Sequence, residues 1–425
     1  MTETNYRDMW AELGMDLEKH DEFLEPLGEQ YGSLFVAQDD RPEGMEYFNH
    51  VMENVHHSRV EELQAEKEAG DPIVASFCVF VPEELVQAAG GSSIGLCAGA
   101  DYPVSTGEEV VPRDMCPLIK STMGFKLDRI CPYFEVADFV VGETTCDGKK
   151  KAWEVLDEYK PTYVMELPQK KGAASRELWV EEIQRFKDRI ETEADREITA
   201  DALGEAIETN NRKRRALKDL YEARKADPVP ISGKDALLIT QLAFFDDTER
   251  FTDRVESLNA ELKNRIDAGE GVVPSDAPRI LIAGTPMPLP NWKIHDVIES
   301  RGGAVVCEET CTGTRYFEDE VAETGTTLDE QIEHLADRGL EVNCACFTPN
   351  DERVEDVVRL ANEYDVDGVV YANLEFCLTY DMEYRKIESA LQEEGIPVTQ
   401  IESHFGDSDV EQLRTRLQAF LEMVA

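Results

Sequence analysis

ADFVVGETTCDGKKKAWEVLDEY, residues 137 to 159, decides how the chain is read. Phe139, Val140 and Val141 form an apolar run of strand type, and KKKAWEVLDEY from Lys149 has helical character, so Cys146 falls in the turn between them. A turn feeding the positive end of a helix favours the thiolate, the form that binds soft metals and iron-sulfur clusters. Just upstream, Cys116 opens CPLIKS and Cys131 opens CPYF, and the prolines that follow them lock the chain beside each sulfur. One cysteine of this kind would read as buried and inert. Three in so short a span read as ligands on loops at strand ends.

Outward from this stretch the pattern repeats. PIVASFCVF, SSIGLC, ADFVVGE and TYVMELP are short apolar runs with helical stretches between them, which implies a parallel sheet covered by helices on both faces. Ligands in such sheets sit beyond the carboxyl ends of the strands, and this places Cys97 and Cys146 on the binding edge. A second alternating region holds RILIAG, GAVVCEE, DGVVYANL and PVTQIES. The expected fold class is α/β, with two parallel-sheet domains, a helical segment between them and an N-terminal helical extension. The domain bounds are 1–70 for the extension, 71–172 for the first domain, 173–277 for the helical segment and linker, and 278–425 for the second domain.

Within these bounds, Met45, Phe48, Val51, Met52 and Val55 follow helical spacing up to His56 and His57. Neighbouring residues on a helix cannot both face one metal, so the His pair reads as solvent-facing or structural. Thr199 is an N-cap, with Ile198 and Leu203 as a hydrophobic staple and Leu217, Leu220 and Tyr221 continuing an apolar stripe. Arg212, Lys213, Arg214 and Arg215 read as a solvated face, although they could meet an acidic neighbour. Residues 266 to 278, rich in Gly and Pro, read as a linker. Ser408 and Glu411 form a capping box ahead of a closing helix whose inner face is Leu413, Leu417, Phe420 and Leu421.

The repeat puts cysteines in register. Cys97, Cys116 and Cys146 are separated by 19 and 30 residues, and Cys311, Cys346 and Cys377 by 35 and 31. No CxxC occurs, and the one CxC is Cys344 with Cys346, so a cluster assembled between two domains is favoured over structural zinc. Six facing thiols supply three ligands to each of two cubanes, or four to one with two left over. Cys78 and Cys307 read as buried strand residues.

Composition narrows the setting. The formal charge is -46, from 43 basic and 89 acidic residues, and self-repulsion of that size calls for screening salt. Lysine is scarce, at 18 against 25 arginines, which fits an acidic, halophile-type surface in a salt-rich cytoplasm. Nucleic acid and anionic membrane are poor partners for such a surface. MTETNYRDMW has no secretory character and no apolar run is long enough to span a membrane, so a soluble, cytoplasmic protein is expected. Ten cysteines in a reducing compartment read as metal or redox groups rather than disulfides. Lys149, Lys150 and Lys151 sit where a helix start disfavours cations and so ask for an anion: a reduced cluster, a phosphate-bearing substrate or an acidic partner. The plainer reading has them offsetting nearby carboxylates. Lys120, four residues past Cys116, adds slightly to the first. Neither GxxxxGK[ST] nor GxGxxG is present, so low-potential chemistry needs an external donor, for which a separate ATP-driven reductase is the natural class.

CPLIKS (116–121), CPYF (131–134), VVGETTCDGKKK (140–151), NCACFTPNDER (343–353) and VDGVVYANLEFC (366–377) together resemble the 2-hydroxyacyl-CoA dehydratase and benzoyl-CoA reductase superfamily, D-component, and within it the double-cubane cluster proteins. The resemblance covers roughly residues 70 to 425. It implies two Rossmann-like domains, iron-sulfur clusters at their interface, a dimer, and electrons from a dimeric ATP-dependent activator carrying its own [4Fe-4S] cluster. By motif, Cys116, Cys146 and Cys377 match the three ligands of a dehydratase [4Fe-4S] cluster. In the double-cubane branch six cysteines hold an [8Fe-9S] cluster, and the internal repeat adds Cys97, Cys311 and Cys346, with Cys131 and Cys344 as rivals. The extra thiols leave three functions open: radical dehydration of a 2-hydroxyacyl-CoA, reduction of small molecules by a double cubane, and non-catalytic electron transfer. Glu143, Glu309, Tyr380 and His404 are candidate acid or base groups, His404 reading more readily as a satisfied surface residue. The charge alone predicts that the thermal midpoint rises steadily as KCl is raised from about 0.1 M to about 1 M, where the screening length falls to about 3 Å; a flat profile in differential scanning fluorimetry would contradict it.

Overall fold

Strands Ile73–Ser76 (β1), Ser92–Gly95 (β2), Phe139–Glu143 (β3) and Thr162–Met165 (β4) form one parallel sheet in the order β2-β1-β3-β4. Arg279–Gly284 (β5), Ala304–Glu309 (β6), Gly368–Leu374 (β7) and Val398–Ser403 (β8) form a second, in the order β6-β5-β7-β8. The two orders are the same, so the internal repeat expected from the sequence is a repeat of topology. This is a computed structural model, and it describes residues 6–96 and 98–425. The central strands β1, β3 and β7 are buried at every position, as parallel strands covered on both faces must be, whereas the edge strands β4 and β8 are largely half-buried. Among the described residues no helix is long and apolar enough to cross a membrane.

Each sheet reverses its winding between its first and third strands, β1/β3 and β5/β7, and there the loops leaving neighbouring strands part and open a crevice. Glycine allows the closest approaches. Gly142 in β3 lies under the Trp153 ring, where a Cβ would stand 2.3 Å from the indole.

Four long or fully buried helices separate the sheets: Ala173–Ala194, Ala200–Ala223, Gly233–Leu242 and Thr248–Ala268. Helix Ala200–Ala223 starts at Thr199, whose side chain accepts from the Ala202 N–H, and it packs on elements of both halves, Glu83–Ala88 and Thr314–Phe317 among them. The basic run on this helix is not the solvated face its sequence suggests. Lys213 and Arg214 are buried and paired with Glu83 at 2.6 Å and Glu84 at 2.5 Å, while Arg212 and Arg215 reach Asp253, Glu256, Glu320 and Glu323 near the surface. Helical periodicity explains the split, since neighbours in the run face in different directions. Arg224, at the C-cap of this helix and also buried, pairs with Glu308 of β6 at 2.7 Å and donates to the Val305 carbonyl.

Other expectations need adjustment. Helix Thr248–Ala268 runs past residue 266 and stops at Gly269, whose φ of +72° closes it, so irregular chain begins later than composition suggests. Ser408 does not cap the closing helix Val410–Val424. Its hydroxyl is hydrogen-bonded to His404 at 3.0 Å and Glu411 pairs with Arg414, because Asp409, at the N-cap, turns inward to Lys293 and Ser403. The inner face of Leu413, Leu417, Phe420 and Leu421 is buried as expected. His56 is structural and not solvent-facing: its Nδ1 lies 3.0 Å from His20 Nε2, and Trp10 donates to its carbonyl.

Burial lowers the pKa of His20 to about 4 and that of His56 well below the ordinary value. Both are neutral in the fold and titrate near 6.5 in the unfolded chain. The unfolded state therefore takes up more protons, and stability that is complete above about pH 6.5 is lost as pH falls toward 4. We expect His20→Asn with His56→Gln to flatten the pH dependence of the urea midpoint between those limits; a slope as steep as the parent's would show that other groups carry it.

Candidate metal centre

The chain's chemistry gathers at the carboxyl ends of the two sheets. Cys146 lies three residues past the end of β3 and Cys377 three past the end of β7, so the topological repeat carries them to equivalent places. Cys116, Cys146 and Cys377 each occupy the N-cap of a helix: Pro117–Asp128, Asp147–Leu156 and Leu378–Glu393. There the unpaired N–H groups and the helix dipole point at sulfur. Cys146 Sγ accepts from the Lys149 N–H at 3.4 Å, and the Cys116 and Cys377 thiols shift each other's ionisation. Cys377, aided by the N–H groups of Leu118 and Ile119, draws the Cys116 pKa down, and Cys116 pushes Cys377 well up. Burial raises Cys146, against the pull of Lys149.

A second group faces the first. Cys311, two residues past β6, acts on Cys78, two residues past β1, and Cys344 acts on Cys346. The members of each pair shift in opposite directions: Cys311 and Cys344 are drawn below the ordinary value, and Cys78 and Cys346 are raised. Cys78 corrects the sequence reading. PIVASFCVF looks like one apolar strand, but β1 ends at Ser76 and Cys78 lies in the turn beyond it, with its thiol at the second group. Cys307 is a buried strand residue, as expected. Cys131 caps the short helix Pro132–Val136, which leads into the amino end of β3, on the edge opposite Cys146. The expected ligand Cys97 lies outside the described residues.

Lys149 lies between the groups. Its ammonium is buried, 3.2 Å from Glu143 Oε2 and 4.5 Å from the centre of the Phe77 ring. Burial alone would discharge it, but Cys78, Glu143 and Cys146 outweigh burial and hold it protonated. Glu143 is raised by its own burial, with Lys149 opposing, and its Oε1 has no hydrogen-bond partner. Lys150 and Lys151 do not share this role: they are paired with Asp147 and Glu154 near the surface, and Lys120 is held by Glu108 and the Arg113 carbonyl.

Glu309 and Tyr380 belong to one buried network. Glu309 binds Arg315 at 2.6 Å and Arg353 at 2.8 Å, Arg353 also binds Glu383, and Tyr380 is bonded to Arg315 and lies 3.5 Å from Cys344 Sγ. Both oxygens of the Glu309 carboxylate are taken up by guanidiniums, so Glu309 is structural in this arrangement. His404 is bonded to the Gly406 N–H and Ser408.

A cavity of about 100 Å³ opens on this edge, lined by Cys78, Cys311, Lys149, Gln241 and mainly apolar residues, among them Phe77, Leu118, Phe244 and Leu289. It draws on both sheets. Among the described residues no three His, Cys, Asp or Glu side chains converge as a single-ion site demands. The nine described cysteines are all free of disulfides. Seven of them, in two facing groups with a buried cation between, suit a larger anionic sulfur-bridged cluster in donor chemistry: all soft thiolates, with no histidine among them.

A two-sheet α/β protein whose thiols converge from both halves is thereby defined, and comparison with known proteins places it. The chain belongs to the 2-hydroxyglutaryl-CoA dehydratase, D-component family, which matches residues 78–424. It is 42% identical, over 84% of this chain and 93% of the relative, to the Escherichia coli (strain K12) protein named "Putative dehydratase subunit YjiM". It is 22% identical to the (R)-phenyllactyl-CoA dehydratase beta subunit of Clostridium sporogenes, over 88% of this chain and 98% of the relative. To a benzoyl-CoA reductase subunit of Thauera aromatica it is 21% identical, over 83% of this chain and 90% of the relative.

The site's electrostatics can be tested without metal. Lys149→Met strands Glu143 in the interior, and loss of one partner of a buried pair costs about 3–5 kcal/mol. We expect urea unfolding of the apoprotein to show such a loss for Lys149→Met and most of it recovered in Lys149→Met with Glu143→Leu. An unchanged midpoint for the single variant would show that the pair carries no weight.

Proposed function

We propose that this protein is an iron-sulfur component of the 2-hydroxyacyl-CoA dehydratase type. It would receive low-potential electrons from an ATP-dependent activator that carries its own [4Fe-4S] cluster, and use them for dehydration of a 2-hydroxyacyl-CoA or a related reduction. The observation that carries the reading is the meeting of Cys116, Cys146 and Cys377, each at a helix N-terminus, from sequence positions as far apart as 116 and 377. A cluster bound there supplies one-electron reduction at low potential.

The chain's own residues then have separate tasks. Helix N-termini and Lys149 hold the thiolates and balance their charge. The apolar walls formed by Phe77, Phe244 and Leu289 exclude water from the cavity beside Cys78 and Cys311. Phe376, Leu378 and Met382, exposed on either side of Cys377, form the contact for an electron-delivering partner. Relatives named as beta subunits support a protein that works in an assembly, and a homodimer would fulfil that with one chain. Free thiols throughout the described chain support a reducing, cytoplasmic setting.

A second reading, a double-cubane [8Fe-9S] reductase of small molecules, is favoured by one specific observation: four further thiols, Cys78, Cys311, Cys344 and Cys346, face the first three. In this reading Cys78 joins or replaces the expected Cys97. A non-catalytic electron carrier is the third. Iron and acid-labile sulfide measured on anaerobic protein separate them. About eight irons per chain in a homodimer supports the double cubane, and about four with an unlike partner supports the dehydratase. Iron without ATP-dependent turnover of any acyl-CoA or small unsaturated substrate supports the carrier, and absence of iron ends the proposal.

A further inference from the structure

We infer that Arg315, working with Tyr380, is a positioning residue that makes the Cys78, Cys311, Cys344 and Cys346 group the electron-accepting end of the site, downstream of Cys116, Cys146 and Cys377. The inference rests on the reading that both groups hold iron-sulfur clusters.

The two groups are served by different donors. Arg315 is buried, and its Nη1 stands 3.4 Å from Cys311 Sγ. The same nitrogen bonds the Tyr380 hydroxyl, which reaches Cys344 Sγ at 3.5 Å, so one guanidinium addresses two sulfurs, one directly and one through a phenol. The fork is fixed from behind. Nε binds Glu309 Oε1 at 2.6 Å, and Nη2 binds the Glu309 carbonyl at 2.7 Å and the Gly284 carbonyl at the end of β5. Arg353 takes up the other Glu309 oxygen and Glu383, so Glu309 is not Arg315's alone to neutralise.

Among the described residues no side-chain cation is hydrogen-bonded to a thiol of the first group, on which Lys149 acts through its charge alone. The hydrogen-bonding groups there are neutral: the Lys149 N–H to Cys146, the Leu118 and Ile119 N–H groups beside Cys116 and a Thr379 hydroxyl 3.9 Å from Cys377. Lys149 serves both groups, with Cys78 and Cys146 both among its charge partners. Reduction adds negative charge, and a fixed guanidinium in a dry environment stabilises that charge more than neutral donors do.

Position agrees with charge. Cys377 lies between exposed Phe376 and Leu378, whereas Cys311 and Cys344 are buried and Cys311 lines the cavity. Each electron thus enters on the Cys377 side from a one-electron donor protein, which is oxidised. With clusters bound at both groups, it would pass to the Cys311 side and leave by reducing an acyl-CoA or small unsaturated substrate admitted to the cavity.

The test is an EPR-monitored reductive titration of the anaerobic holoprotein, with iron content measured in parallel. We expect two midpoint potentials. Arg315→Gln should lower the higher one by at least tenfold in the reduction equilibrium, about 59 mV for one electron, and leave the other in place. Arg315→Lys should restore most of the shift, and Tyr380→Phe, which preserves packing if Arg315→Gln fails to fold, should give a smaller shift of the same sign. A purely structural role would alter melting and iron content but not one potential selectively. A single potential, unchanged potentials in both variants, or equal shifts in both would overturn the inference while leaving the iron-sulfur reading intact. Iron-free parent protein would overturn both.

Discussion

Thiols from the ends of several strands repel one another once they ionise, and Lys149 is the group that makes their meeting tolerable. Among the described residues it is the one buried ammonium between them, held by Glu143 and the Phe77 ring, and it rises from the helix that Cys146 itself caps. Sequence places the lysine and the cysteine three residues apart, so one turn delivers both the sulfur and its counter-charge. The rest of the site follows from topology: two sheets of identical strand order open toward each other at their carboxyl ends.

What the sequence disclosed followed strand endings. Cys146 and Cys377 stand out because a two-residue turn separates each from a clear apolar strand, Thr144–Thr145 in one case and Glu375–Phe376 in the other, and their equal offset from β3 and β7 is a repeat that spacing alone suggests. Cys78 escaped because Ser76, which ends β1, is followed at once by apolar Phe77, so PIVASFCVF passes for one strand. Its signal was the offset it shares with Cys311, two residues past a strand end, and that requires knowing where the strand stops. Cys344 and Cys346 lie in an irregular loop before helix Asp351–Glu363, where periodicity has nothing to say. Glu309 was a candidate acid or base in the sequence; the two arginines that occupy it come from 6 and 44 residues further on.

The same limit applies to the charged core. Lys213 and Arg214 lie in a basic run that reads as surface, yet Glu83 and Glu84 arrive from another half of the chain to bury them. In a protein of charge -46, cations are few, and the structure commits those of the interior to fixed partners: Arg224 to Glu308, Arg315 and Arg353 to Glu309, Lys149 to Glu143. Such pairs are weak sources of stability but costly to break.

Anomalous diffraction at the iron edge, from anaerobically grown crystals, addresses the convergence of these thiols on one cluster most directly. We expect iron density bounded by Cys116, Cys146 and Cys377, extending toward Cys78 and Cys311, with Lys149 beside it. Iron bound elsewhere, or a site in which Cys146 and Cys377 make no contact with metal in protein shown to contain it, would contradict that convergence.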